Sequence, residues 1–131
     1  MRFAAERGGQ VGVLRVAGEG LHERVDRTLA LGVLASHPAG HGPGLGLLDH
    51  DTAVAAYAEQ ASALAEGGVD LLVLETIFAL EEAVWAVEGI KSASELPLVV
   101  SFSYDMGTRT MMGLSPTDAV TTILPLGVAA V

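Results

Sequence analysis

Gly67-Gly68-Val69-Asp70-Leu71-Leu72-Val73-Leu74-Glu75-Thr76 is the stretch on which the fold turns. The two glycines stop the helix before them, because glycine readily takes the left-handed conformation of a helix end. From Val69 to Glu75, five of seven residues are apolar. Such a run predicts a strand buried on both faces, as in a parallel sheet covered by helices.

Working outward, Val54, Tyr57, Ala58, Ala61, Leu64 and Ala65 recur at helical spacing, with Asp51 or Thr52 as the N-cap. On the other side, Leu80 to Ser92 predicts a second helix whose stripe is Leu80, Val84, Val87 and Ile90 or Lys91. Pro97 to Tyr104 reads as another strand, and Asp105 to Leu114 as a polar loop. Ser115-Pro116 then opens a third helix as N-cap and first-turn proline, carrying Ala119, Val120, Ile123 and Leu124. Gly127 ends that helix, and Val128 begins a further apolar strand. Upstream, Leu31 to Ser36 reads as strand, followed by a Gly- and Pro-rich loop to Leu48. Residues 1–30 are the least legible: Val11 to Val16 suggests a short strand, and Leu21 to Leu31 has helical spacing. Strand and helix alternating at this pitch imply parallel βαβ units with right-handed crossovers. A small doubly wound sheet and an arc of a (β/α)8 barrel both satisfy that pattern.

Composition narrows the function. The 131 residues suffice for one domain, but a complete (β/α)8 barrel needs about 250. A net charge of −9 disfavours nucleic acid and anionic membrane surfaces, whose binding relies on Lys and Arg. No apolar run reaches the roughly 20 residues of a transmembrane helix, and the first residues lack the apolar core of a signal peptide, so a cytoplasmic location is the expectation. The absence of cysteine excludes disulfides and thiolate metal sites within these residues.

In either parallel architecture the chemistry sits at the carboxyl ends of the strands. Those ends carry Ser36 and His37, Glu75 and Thr76, and Ser103 and Asp105. Glu75 closes an apolar strand, where a carboxylate calls for a cationic partner. That partner is either structural (an ion pair with Arg109 or Lys91, or a helix cap) or a ligand ammonium group. The glycine-rich segment from His37 to Gly46 offers backbone amides to an anion, or serves as a flexible connector. It matches neither the Walker nor the dinucleotide pattern. His37 and His41 have the four-residue spacing of helical metal ligands, but Pro38 and Gly40 argue against a helix there. His22 and His50 read as surface residues, and Trp85 as a packing residue.

Tyr57-Ala58-Glu59-Gln60, then Gly68 to Thr76, then Glu82-Ala83-Val84-Trp85-Ala86-Val87 resemble the homocysteine-binding barrel of the homocysteine S-methyltransferase family. Val100-Ser101-Phe102-Ser103 and Gly107 to Gly113 are similar to that family's fifth strand and following loop. Ala35-Ser36 with the loop after it is similar to its third-strand Gly-Ser-x-Gly-Pro motif. The resemblance runs from Leu31 to Val131 and implies a partial (β/α)8 barrel, about strands 3 to 6, as one partial domain over 1–131 with 1–30 unassigned.

The resemblance also implies an activity, methyl transfer to the zinc-bound thiolate of homocysteine to give methionine. Zinc lowers the thiol pKa and so supplies the nucleophile at neutral pH. Glu75, with Thr76 beside it, would then face the substrate ammonium, and backbone amides around Ser36 and His37 its carboxylate. Ser103, Asp105 and Arg109 would line the loop on the active face. The family's first-strand Gly-rich motif, its second-strand Asn-Thr motif and its zinc cysteines are not found here. The chain therefore reads as a fragment ending before the first of those cysteines, inactive alone and with no zinc expected to bind it. Exposed strand edges would favour self-association. Two other readings stay open: a small non-catalytic α/β module that binds an amino-acid-like ligand, and another barrel enzyme such as a pterin-binding one.

Overall fold

The computed structural model describes residues 12–16, 29–34, 49–105 and 107–131. Its elements in chain order are β1 (Gly12–Val16), β2 (Leu29–Leu34), α1 (His50–Glu66), β3 (Leu71–Ile77), α2 (Leu80–Ala93), β4 (Leu98–Phe102) and α3 (Pro116–Ile123), followed by a short 3-10 turn, Leu124–Leu126. The strands form one sheet in the order β1-β2-β3-β4.

β2, β3 and β4 are parallel neighbours, with Leu34 level with Leu74 and Leu74 level with Val100. Beyond β4, Ala130 makes an isolated parallel bridge to Val99. Its carbonyl accepts from the Val100 N–H at 3.0 Å, and the Ala129 N–H donates to the Leu98 carbonyl at 2.7 Å. The apolar residues from Val128 onward thus meet β4 in parallel at an isolated bridge, short of the full strand that the sequence predicts. The strand order advances in one direction from β2 without reversing.

β1 departs from the all-parallel expectation, because it pairs antiparallel with β2, Gly12 opposite Val33 and Val16 opposite Leu29. An antiparallel edge strand on an otherwise parallel sheet is a common arrangement. The helical spacing at Leu21 to Leu31 is overruled at its end, where Leu29, Ala30 and Leu31 lie in β2. Ladder pairing with β1, joined at Leu31 by β3, decides those residues, and local periodicity yields to it.

One face of the parallel sheet is packed. Leu72, Leu74 and Ile77 of β3 and Leu98 and Val100 of β4 form a core with Tyr57, Ala61 and Leu64 of α1 and Ala83, Ala86, Val87 and Ile90 of α2. Burying a leucine such as Leu72 or Leu74 contributes about 1.5–3 kcal/mol. The other face is not packed to the same degree: Leu71 and Val73 are only half-buried. Burial of β3 on both faces was the expectation, and it holds for one, since α1 and α2 both cover the same side.

The helices begin close to where capping chemistry puts them. Asp49, rather than Asp51 or Thr52, caps α1, its carboxylate accepting from the Thr52 N–H at 2.9 Å and the Thr52 hydroxyl at 2.8 Å. That bonding holds the Asp49 carboxyl below its usual value. Ser115 caps α3 by accepting from the Asp118 N–H at 3.2 Å, with Pro116 in the first turn. In α2 the buried stripe is rotated from the expected one. It runs through Glu82, Ala83, Ala86, Val87, Gly89 and Ile90, while Lys91 is exposed. Small residues turn inward because the helices approach closely: a Cβ built on Gly89 would stand 2.3 Å from the Val54 carbonyl oxygen of α1. In α3 only Ala119 and Ile123 are buried, and Val120 and Leu124 face outward.

Candidate functional site

The alternation of a strand sends successive side chains to opposite faces. Since Leu72 and Leu74 point into the core, Leu71, Val73 and Glu75 belong to the face opposite α1 and α2. On β4 the buried Leu98 and Val100 leave Val99 and Ser101 on that same face. Glu75 and Ser101 are therefore neighbours across adjacent parallel strands, near their carboxyl ends.

The alternation then breaks. Burial along β3 gives Glu75 and Thr76 both exposed before Ile77 returns to the core. The register shows the cause: Leu74 is level with Val100 but Ile77 with Phe102, so three steps on β3 answer two on β4. Such an irregularity re-aims side chains and is over-represented beside active sites. Thr76 absorbs it with φ at +64°, a left-handed conformation that costs a β-branched residue about 1–3 kcal/mol. The Thr76 N–H donates to the Ser101 hydroxyl at 3.3 Å, and the Ser103 N–H donates to the Ile77 carbonyl at 2.9 Å.

The loop after β4 is built around Thr110, which is 1% exposed. Its hydroxyl donates to the Phe78 carbonyl at 2.7 Å and accepts from the Leu114 N–H at 3.2 Å. It thereby fastens the loop to the segment that leaves β3. Arg109, a candidate partner for Glu75, instead donates to the Gly113 carbonyl at 2.7 Å and closes its own turn. Lys91, the other candidate, donates to the Gly127 carbonyl at 3.0 Å. Neither cation neutralises Glu75, nor does Glu75 cap a helix, and no other described residue hydrogen-bonds or ion-pairs with it. Ser103 is half-buried and Asp105 exposed. Burial pushes the Tyr104 phenol above its ordinary value, so it remains a neutral hydroxyl. Ser36, His37 and His41 lie outside the described residues. Ser36 and His37 follow by two and three positions the Leu34 that stands level with Leu74.

Two other polar groupings lie among the helices. Glu82, 4% exposed, accepts from the Tyr57 hydroxyl at 2.9 Å. Sequence reasoning missed this pair, although a buried tyrosine usually finds a partner for its hydroxyl. At the start of α1, His50 is exposed, as expected. Its Nδ1 lies 2.9 Å from Asp51 and its Nε2 3.0 Å from Glu88 of α2. Its ring meets Trp85 edge-on at 5.5 Å. Hydrogen bonding first to Asp51 and then to Glu88 raises the imidazole above its ordinary value. A shallow open groove of about 280 Å³, lined by Val84, Val87, Glu88, Lys91 and Leu126, runs along the outer side of α2, away from the strand ends. Among the described residues no group of three or more His, Cys, Asp or Glu could hold a metal ion, and no helix is long and apolar enough to cross a membrane.

Among the described residues, the arrangement offers an exposed carboxylate with no cationic partner, on the sheet face opposite α1 and α2, flanked by a strained backbone and a serine hydroxyl. Such a group can receive an ammonium ion. Compared with known protein families, residues 12–131 match that of the homocysteine S-methyltransferases.

Proposed function

Because the chain belongs to the homocysteine S-methyltransferase family, we propose that it forms an arc of the (β/α) barrel in which homocysteine is held for methylation of its sulfur, and that the ends of β3 and β4 receive the amino-acid end of that substrate. The observation that carries this reading is Glu75: a carboxylate at the carboxyl end of a parallel strand, exposed, with neither Arg109 nor Lys91 beside it. A charge-assisted bond from the substrate ammonium would supply the missing partner. Backbone amides near Ser36 and His37 would take the substrate carboxylate, while Thr76, Ser103 and Asp105 border the site. The one-way strand order from β2 to Ala130, with α1 and α2 on one face, supports a barrel arc. A doubly wound sheet reverses its strand order at a switch point. β1 is the exception, running opposite to a barrel strand and covering that edge of the arc.

The resemblance implies zinc held by thiolates, and these residues do not fit it. There is no cysteine in the 131 residues, and a tetrahedral thiolate site needs several. What this chain contributes is binding and orientation of the amino acid. By itself it is expected to form no methionine from homocysteine with any methyl donor, a result read directly by product chromatography.

Isothermal titration with homocysteine, with and without added zinc, tests the reading. Weak, zinc-independent binding that disappears in Glu75→Ala is the expected outcome. A folded chain that gives no heat at millimolar homocysteine would remove the proposal.

A further inference from the structure

We propose that Ser101 is a positioning residue whose hydroxyl replaces the ladder bond lost at the β3–β4 register shift, holding Thr76 left-handed and so turning the Glu75 carboxylate toward the substrate ammonium. The inference rests on the reading of Glu75 given above and extends it to a residue that does not itself touch the substrate.

Counting backbone bonds leads to this assignment. In a regular parallel ladder the neighbouring strand supplies a carbonyl to each N–H that faces it. Three residues of β3 spanning two of β4 leave one β3 residue without such a place. That residue is Thr76, and its N–H goes to a side chain, the Ser101 oxygen at 3.3 Å. The far side of the irregularity is already fixed, by Ser103 N–H to the Ile77 carbonyl at 2.9 Å and the Thr110 hydroxyl to the Phe78 carbonyl at 2.7 Å. On the near side, Leu72 to Leu74 pair in register with Leu98 to Val100. The ladder therefore holds both flanks, and among the described residues the N–H of the bulged residue goes to a side-chain hydroxyl. Without it, Thr76 has reason to relax toward the extended region that a β-branched residue prefers. Glu75, adjoining it, would lose its fixed direction. The carboxylate would remain chemically able to bind an ammonium ion but would have to be ordered on each encounter, which weakens binding without removing it.

The test uses the 131-residue chain, homocysteine as ligand, and Ser101→Ala, Ser101→Thr, Ser101→Val and Glu75→Gln. Threonine and valine match in shape and differ in the hydroxyl, so this pair isolates the hydrogen bond even where alanine loosens the sheet. Ser101→Ala and Ser101→Val should bind homocysteine about tenfold more weakly, as expected for loss of one ordinary hydrogen bond. Their Thr76 amide should exchange with solvent faster, while unfolding midpoints stay near that of the parent. Ser101→Thr should restore affinity and amide protection together. Combining Ser101→Val with Glu75→Gln should weaken binding no further than Glu75→Gln alone, because the serine acts through the carboxylate. Parent-like affinity in Ser101→Val, or unchanged exchange at Thr76, would overturn the positioning role and leave Glu75 standing. Absence of binding by the parent chain would take away both.

Discussion

At the scale of single residues, the site depends on conformations that a residue's type does not announce. Glu75 stood out as a candidate because a carboxylate ending an apolar strand is unusual. Ser101 was not, since a serine inside a strand has no distinctive pattern until the register of its neighbour is known. Thr110 was equally silent: one hydroxyl in a polar loop looks like any other until burial singles it out. Gly89 gives the plainest prediction at this scale. With the Val54 carbonyl 2.3 Å from where a Cβ would go, Gly89→Ala must push α1 and α2 apart. Overpacking of this kind costs about 1–3 kcal/mol, and the urea midpoint should fall accordingly. Tyr57→Phe should cost a similar amount, about 1–3 kcal/mol, because the buried Glu82 carboxyl loses the hydroxyl donor it accepts from. An unchanged melting temperature in Tyr57→Phe would show that Glu82 does not depend on that bond.

Between elements, the sequence spoke clearly wherever periodicity and caps agreed. β3, α2, β4 and α3 fall within two or three residues of where spacing put them, because apolar runs, glycine stops and the Ser115-Pro116 start all point the same way. β1 lies where the short strand at Val11 to Val16 was expected, but its antiparallel partner and the beginning of β2 were hard to place for a physical reason: they come from pairing with distant residues, which local spacing does not encode. The contact between α1 and α2 was also hidden, and it includes a pH-sensitive link. A neutral imidazole has one N–H, so His50 can donate to both Asp51 and Glu88 only when protonated. The two carboxylates outweigh the unfavourable position of a cation at a helix N-terminus, and the imidazole is raised above its ordinary 6.5. A raised value in the folded state means the stabilisation is fully present below about pH 6.5 and is lost as pH rises through the folded value. Denaturation of the parent and of His50→Ala between pH 5 and 9 should therefore differ most at the acid end and converge toward the alkaline end. A difference independent of pH would mean that His50 acts through its packing on Trp85 alone.

For the whole molecule, the described residues leave the sheet unevenly covered. One face carries α1 and α2, while the other shows half-buried Leu71 and Val73, and the bridge at Ala130 is isolated. Met111, Met112, Val120 and Leu124 are also exposed, at 41–59%. Edges and apolar surface of this kind pair with other copies, so sedimentation of the isolated chain should show association that grows with concentration. A monomer at all concentrations would mean that these surfaces are covered. The shift between β3 and β4 has a consequence of another order. Thr76 is a supernumerary residue, one more than the pleat can accommodate, so the proposed site is specified by the length of the strand as well as by its letters. Deleting Thr76 should let β3 resume strict alternation and pair evenly with β4, raising the melting temperature while weakening homocysteine binding. Evolution along this strand would accordingly tolerate exchanges of residues more readily than insertions or deletions, and a chain that lost this one codon would be a sturdier protein with a looser grip on the proposed substrate.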